Sequence, residues 1–440
     1  MIKRIFFIII FFICYNFQGQ EGTSSPYSFY GIGNLKFKGT TENRAMGGLS
    51  IYTDSIHMNF RNPASYAGNN MSSFNNEARL VKFTVGIGHT TTELETSDSS
   101  DNANTTTFDY LGLNMPMGKF GMGFGVIPHS SVGYKLESRN SIDTLQYKYS
   151  GNGGVNKVFL GFGYLISDNL SIGIDVHYNF GNIQNSALEF LYDDIDMLPL
   201  DYQAREINRS DLSGINYNLG ISYKPMINEK TQLVTSFTYS PSYNLTSKNK
   251  RTFASVIVSE TTGIEYPINE IEVDLLPLGL EETDLKMPSK ISIGVGIGSV
   301  RNWFIGTEYN IIKSSVFSSD LLDIQNGDSN TYFEDSSVLS IGGFYIPDYN
   351  SFNKLWQRIV YRSGIYFEKT GLNINNQSIK EFGISFGLGI PVSRLFSSMN
   401  TVIEIGKRGT TDQNLVKENF INFQLSLSLN DRWFIKRKYN

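Results

Sequence analysis

The chain has 440 residues, a formal net charge of -5, 18% charged residues and one cysteine. That acidic balance, without a long basic stripe, excludes a nucleic-acid binder, which needs a basic face. Aromatic residues make up 13%, with 31 Phe, 25 Tyr and 41 Gly, yet mean hydropathy is only -0.20, as expected of a barrel with a polar lumen face and aromatic girdles.

The first predicted element, residues 1–20, reads as a secretory signal: Lys3 and Arg4, then the apolar run Ile5 to Cys14, then a polar stretch. The run is too short to span a membrane, and cleavage is expected near Gln18 to Gln20. Ile13 is larger than the residue that usually precedes a lipidated cysteine. With Cys14 removed, the mature chain has no thiol for disulfides, nucleophilic catalysis or metal binding.

Residues 21–76 show no clean alternation but contain Met46, Ile51, Ile56, Met58 and Phe60, apolar mass that needs burial. They are predicted to form an N-terminal hatch, since a barrel of fourteen strands encloses a lumen too wide for wall side chains to fill. The alternative, a periplasmic tail, is normally poorer in such residues.

Residues 77–440 are predicted to form the barrel, because some fourteen stretches alternate apolar and polar residues with the period of two that separates the faces of a strand. They run Ala78–Glu93, Thr105–Met115, Lys119–Leu136, Leu145–Ile166, Asn169–Phe190, Asp211–Lys224, Thr231–Thr246, Lys286–Ser299, Asn302–Val316, Thr331–Ile346, Leu355–Thr370, Gln377–Pro391, Ser398–Lys407 and Lys417–Asn430. The pattern is clearest where Leu170, Ile172, Ile174, Val176, Tyr178 and Phe180 interleave with Ser171, Gly173, Asp175, His177 and Asn179. Only helices and closed barrels satisfy their backbone in lipid, so the fold class is all-β, a transmembrane antiparallel barrel in the outer membrane. Long gaps such as Tyr192–Ser210 and Ser247–Leu285 alternate with tight ones such as Pro116–Gly118 and Val300–Arg301, matching external loops and periplasmic turns.

No catalytic constellation emerges, and no enzyme, cofactor or metal site is predicted. The runs Gly121–Gly125 and Gly294–Gly298 imitate phosphate loops, but their glycines fall in the inward phase of strands with no helix following. His57, His89, His129 and His177 lack metal-ligand spacing. Glu270, Glu272, Asp274, Glu281, Glu282 and Asp284 form an acidic external loop without the spacing of a regular calcium motif. Asp175, Glu308, Arg362 and Glu404 occupy inward positions; Arg44 and Arg61 of the hatch are the cations expected to meet the carboxylates, since unpaired charge in a filled lumen is costly.

The stretch Asn43-Arg44-Ala45-Met46-Gly47-Gly48, then Asp54, then Asn62-Pro63-Ala64, resembles the opening signature of the FadL/TodX long-chain fatty acid and hydrocarbon transporters. A second stretch, Met287 to Val295 with Trp303 and Glu308-Tyr309, resembles that family's Pro-led strand and Trp-containing return strand. The start Ser24-Ser25-Pro26-Tyr27-Ser28 and the tail Lys436-Arg437-Lys438 depart from the fatty acid transporters. The resemblance implies a fourteen-stranded barrel with its lumen plugged, and passive uptake of hydrophobic small molecules. Met46, Ile56, Met58 and Phe60 are the ligand-path candidates, because methionine adapts to irregular ligands and aromatic faces supply area. Similar barrels also serve as structural or accessory subunits of secretion or assembly complexes, so outer-membrane lipid, a hydrophobic solute and other outer-membrane or periplasmic proteins are the expected partners.

Overall fold

The computed structural model describes residues 22–36, 38–54, 56–67, 80–140, 143–193, 198–259, 261–317, 330–392 and 398–432. The expected signal, Cys14 and the tail Lys436 to Lys438 lie outside these.

The strands, in chain order, are β1 (Asn34–Leu35), β2 (Leu80–Glu95), β3 (Ser100–Met117), β4 (Phe120–Pro128), β5 (Ser130–Arg139), β6 (Leu145–Ser167), β7 (Leu170–Glu189), β8 (Gln203–Tyr223), β9 (Thr231–Ser240), β10 (Tyr243–Val258), β11 (Glu265–Glu272), β12 (Glu282–Met287), β13 (Lys290–Ser299), β14 (Trp303–Ile312), β15 (Thr331–Phe333), β16 (Ser336–Tyr345), β17 (Val360–Ile374), β18 (Gln377–Pro391), β19 (Ser398–Arg408) and β20 (Lys417–Arg432). All pairings are antiparallel. β2 closes on β20 from Leu80 opposite Arg432 to Glu95 opposite Lys417. With β1 and β11 lying outside the wall, and β4/β5, β9/β10, β12/β13 and β15/β16 each forming one interrupted stave, the closed wall has 14 strands. This is an outer-membrane multi-pass barrel.

Burial along the strands is inside out. On β7, Ser171, Asp175, His177 and Asn179 are buried, while Ile172, Ile174, Val176, Tyr178 and Phe180 are exposed. Apolar side chains exposed in every alternate position are stable only against lipid, and the same register recurs across the pairing with Ile215, Tyr217, Leu219 and Ile221 of β8. A one-residue slip would turn the polar set into lipid, so the pattern itself fixes the register.

Four predicted strands are interrupted, at His129, at Pro241-Ser242, at Pro288-Ser289 and at Glu334-Asp335. The first three breaks lie at or next to a proline, which has no N–H to give to the ladder. Several predicted loops are strand instead. Only residues 96–99 separate β2 from β3, and β10 continues to Val258 before returning through β11. The alternation is lost there because beyond the bilayer neither sheet face meets lipid. The chain keeps its ladder but not its period-two pattern.

At the opposite end the connections are short, as at residues 118–119, 168–169 and 300–302. Cysteines placed singly at Asp98, Glu282 and Asn169 should therefore behave differently in intact cells. An impermeant maleimide is expected to label the first two and spare the third, and the reverse result would invert the topology.

Candidate functional site

The N-terminal segment threads the lumen, and its local structure follows from its motif residues. Thr40 caps the one-turn helix Thr41–Arg44, with the Asn43 N–H on its hydroxyl and the Asn43 side chain returning to the Thr40 N–H. Gly47 and Gly48 follow at φ +69° and +83°. A Cβ on Gly47 would lie 2.7 Å from the Ile365 backbone nitrogen, so both the left-handed turn and the contact with the wall require glycine. Asn62 caps the turn Pro63–Tyr66 by accepting from the Ala64 N–H at 3.0 Å, and its Nδ2 donates to Ile221 O of β8 at 3.1 Å.

The wall is shaped to receive this segment. Cβ atoms on Gly173 and Gly163 would meet the Pro63 and Ala67 backbone, and those on Gly342 and Gly364 would meet Met46. Gly121 and Gly123 adjoin Tyr66, and Gly294 adjoins Ile51. Within the glycine runs, Gly121, Gly123 and Gly294 are the wall positions that the segment approaches, while Gly125, Gly296 and Gly298 make room for neighbouring wall residues.

Two sets of charges tie the segment down. In the first, the Glu308 carboxylate accepts from the Ser50 N–H and hydroxyl at 2.7 and 2.8 Å, from Arg61 Nη2 at 2.7 Å and from Ser292 at 3.0 Å. Arg61 also donates to Asn310 and to the Gly48 carbonyl. In the second, Lys38 contacts Glu368 at 3.2 Å and also pairs with Glu381, which Arg408 holds from the other side, while Arg44 lies 3.7 Å from Glu404. Arg362 donates to Asn400, whose Nδ2 donates in turn to Glu42. Among the described residues Asp175 has no lysine or arginine within ion-pair distance and faces Asn218 and His177.

The sequence reading expected Arg44 and Arg61 to meet the inward carboxylates without assigning the pairs; Arg61 meets Glu308 and Arg44 lies near Glu404, whereas neither meets Asp175. That reading missed Lys38, Glu42, Glu381 and Arg408. Lys38 and Glu42 sit where no alternation assigns a face. Arg408 lies just beyond the predicted end of its strand.

Asp54, His57 and Ser398 fall in line, with the carboxylate 2.7 Å from Nδ1 and Nε2 3.2 Å from the Ser398 hydroxyl. The Glu42 carboxylate lies 3.7 Å from the same Nε2, and a negative charge there opposes the developing oxyanion of acyl transfer. The arrangement is an anchor: Asp54 also accepts the N–H groups of Ile56 and His57, and Lys82 of β2 donates to the Asp54 and His57 carbonyls. Burial raises the Asp54 carboxyl, but the His57 imidazole, its hydrogen bonds and Lys82 outweigh this and hold it well below the usual carboxylate range.

Met58 and Phe60 are buried with Tyr66, Tyr110, Ile127 and Phe159, and Met46 packs with Leu49, Ile51, Phe304 and Phe344. These three ligand-path candidates are packed in the interior, and each also borders a cavity, Met46 and Met58 the one that Ile56 lines and Phe60 a second one. Ile56 lines a cavity of about 280 Å³ at the periplasmic end together with Asp54, His57 and Arg362.

The wall is broken beside this packed segment. β3 pairs with β4 only through Leu111–Met117, so residues 100–110 pair with β2 alone. β5 departs inward after His129, and Ser130 to Tyr134 are all buried. The edge of β5 that should meet β3 instead takes β1, with Asn34 opposite Ser131 and Leu35 opposite Ser130. Leu35 stands in the break with 47% of its surface exposed. Behind it lies a cavity of about 180 Å³ lined by Leu35, Phe60, Ile127, Lys157, Met287 and Lys290, among others. Among the described residues no carboxylate lies within ion-pair distance of Lys157 or Lys290. Lys157 was legible as a lysine in the inward phase of β6, although the sequence reading did not single it out.

The fold matches those of known outer-membrane channels. The Ralstonia pickettii toluene transporter TbuX superposes with a TM-score of 0.57 at 13% identity, over 90% of this chain and 99% of that one. The Pseudomonas putida toluene transporter TodX gives 0.56 at 15%, over 89% and 97%. A Pseudomonas aeruginosa FadL homologue gives 0.55 at 12%, over 91% and 99%. At such identities the likeness establishes the FadL/TodX-type fold. No curated protein matches the sequence. A single family model covers the chain from residue 1 to residue 440, and by that match the protein belongs to the BamG family.

Proposed function

We propose that this barrel admits hydrophobic small molecules passively across the outer membrane, and that the N-terminal segment is its hatch. The observation that carries the reading is the break between β3 and β5, stoppered by Leu35 and backed by a cavity whose apolar lining, Leu35, Phe60, Ile127 and Met287 among it, alternates with polar groups such as His177, Asn216 and the two lysines. A hydrophobic solute gains nothing from a water-filled pore. It needs an apolar pocket reached through a shift of the hatch or a gap in the wall. The toluene transporters share the fold. The two lysines here fit a solute with an anionic head, because two half-buried ammoniums facing one cavity without a counter-ion gain from an anion that arrives between them.

Uptake of a fluorescent long-chain carboxylate into proteoliposomes tests this reading. Lys157→Met with Lys290→Met is expected to lower carboxylate uptake about tenfold, the equivalent of about 1.4 kcal/mol, while leaving toluene uptake nearly unchanged. Equal loss of both solutes would remove the charge from the mechanism.

A second reading, a structural or accessory subunit of an outer-membrane secretion or assembly complex, is favoured by the dense packing of Met46, Met58 and Phe60 and by the two ionic anchors. These make the hatch a fixed part of the wall. Stoichiometric partners on purification from native membranes, together with an inert proteoliposome, would establish it.

A further inference from the structure

We propose that β11 is a docking edge on the external surface for an extended polypeptide segment with alternating basic and apolar residues. This inference is independent of the uptake reading.

The strand stands clear of the membrane. Tyr243 begins β10 near the end of the lipid-facing band, and Phe253 lies about ten residues further, roughly 33 Å along the strand. There β11 pairs with β10 from Glu265 opposite Val258 to Glu272 opposite Thr252. Among the described residues it pairs with nothing else, so its second edge presents unpaired backbone N–H and C=O groups. Such an edge recruits another strand.

Its apolar side chains share a face. Phe253 lies opposite Ile271 and Ile257 opposite Tyr266, and all four are exposed, Ile271 by 68%. An apolar cross-strand patch left bare beyond the bilayer is unusual for a surface hairpin unless something covers it.

Charge selects what covers it. Residues 259–285 contain Glu260, Glu265, Glu270, Glu272, Asp274, Glu281, Glu282 and Asp284 and no lysine or arginine. The nearby cations answer only part of this: Arg205 reaches Glu265 and Glu270, Lys250 reaches Glu272, Lys248 stands opposite Glu282, and Arg251, over the Phe253 ring, is taken up by Glu206. A second copy of the same edge would meet like charges, and Pro267 removes one donor from it, so self-pairing is disfavoured. A free hydrocarbon could cover the apolar patch but not the backbone groups. A basic, alternating strand satisfies the edge, the face and the charge together.

The test uses the full-length protein in detergent and a fluorescent seven-residue peptide alternating lysine with valine. Binding is expected to weaken at least about tenfold with glutamate in place of lysine, with alternate peptide amides N-methylated, and with Tyr266→Ser and Ile271→Ser together. Both residues are exposed, and heat-modifiable migration reports that each variant barrel is folded. Equal binding by the N-methylated peptide would reduce the contact to charge alone. No binding by the parent peptide up to about 1 mM, or binding unchanged in the serine variant, would also overturn the proposal.

Discussion

Cross-linking Leu35→Cys to Ser130→Cys is expected to abolish solute uptake, and reductant is expected to restore it. The two residues are Cα partners in the β1 and β5 pairing. Antiparallel partners stand about 4.5 to 5.5 Å apart, within disulfide reach. With Cys14 expected to leave with the signal, the mature variant would carry no competing thiol. The bond is covalent, so β1 cannot leave β5 while it is oxidised, and an opening that requires that separation is blocked until reductant is added. The single variants serve as controls, since Leu35→Cys removes the stopper's bulk without locking it. Unchanged uptake by the oxidised protein would show that the solute passes without β1 leaving β5, and would remove the stopper from the mechanism.

The stopper was hard to foresee in the sequence for a physical reason. Residues Lys119 to Leu136 read as one strand because the apolar alternation Phe120, Met122, Phe124, Val126 continues into Val132 and Tyr134. The structure breaks the run at His129 and turns its second half inward. Period two reports which residues share a face, not whether that face meets lipid or the interior. Pro128 was the local sign, since a proline inside an otherwise central strand argues for an edge or a break.

The staves themselves were legible wherever one face meets lipid and the other water. Leu170 to Phe180 is such a case, and so is Phe382 to Ile390. The hatch motifs were legible for a different reason. Gly47-Gly48 and Asn62-Pro63-Ala64 each encode a backbone turn, and a turn is a local property of its own residues. The Lys38, Glu381 and Arg408 cluster joins residues 343 apart in sequence. No local period brings them together. Only closure of the barrel does.

Removing the Glu308 carboxylate is expected to be among the most damaging single changes in the lumen. Glu308 is buried and accepts from Ser50, Ser292 and Arg61. Glu308→Ala therefore strands the Arg61 guanidinium and the Ser50 N–H, and breaking a buried pair from one side costs about 3–5 kcal/mol. The loss should appear as proteolysis of residues 22–67 in a barrel that still migrates as folded, because the wall ladder of β13, β14 and β16 does not depend on this side chain. Exchanging the two charges is a poor rescue. An arginine at position 308 cannot accept from the two Ser50 donors, so the exchanged pair recovers only the attraction and leaves those donors unmet. A cycle of Arg61→Met, Glu308→Gln and the double variant is the better measurement. Glutamine keeps one acceptor for Ser50, and methionine keeps the volume without the charge. If the pair fastens the hatch, the double variant should be less damaged than the sum of the singles by about 1–3 kcal/mol. Strict additivity would mean that each group is satisfied by lumen water and its own neighbours, and that the hatch is held by packing alone.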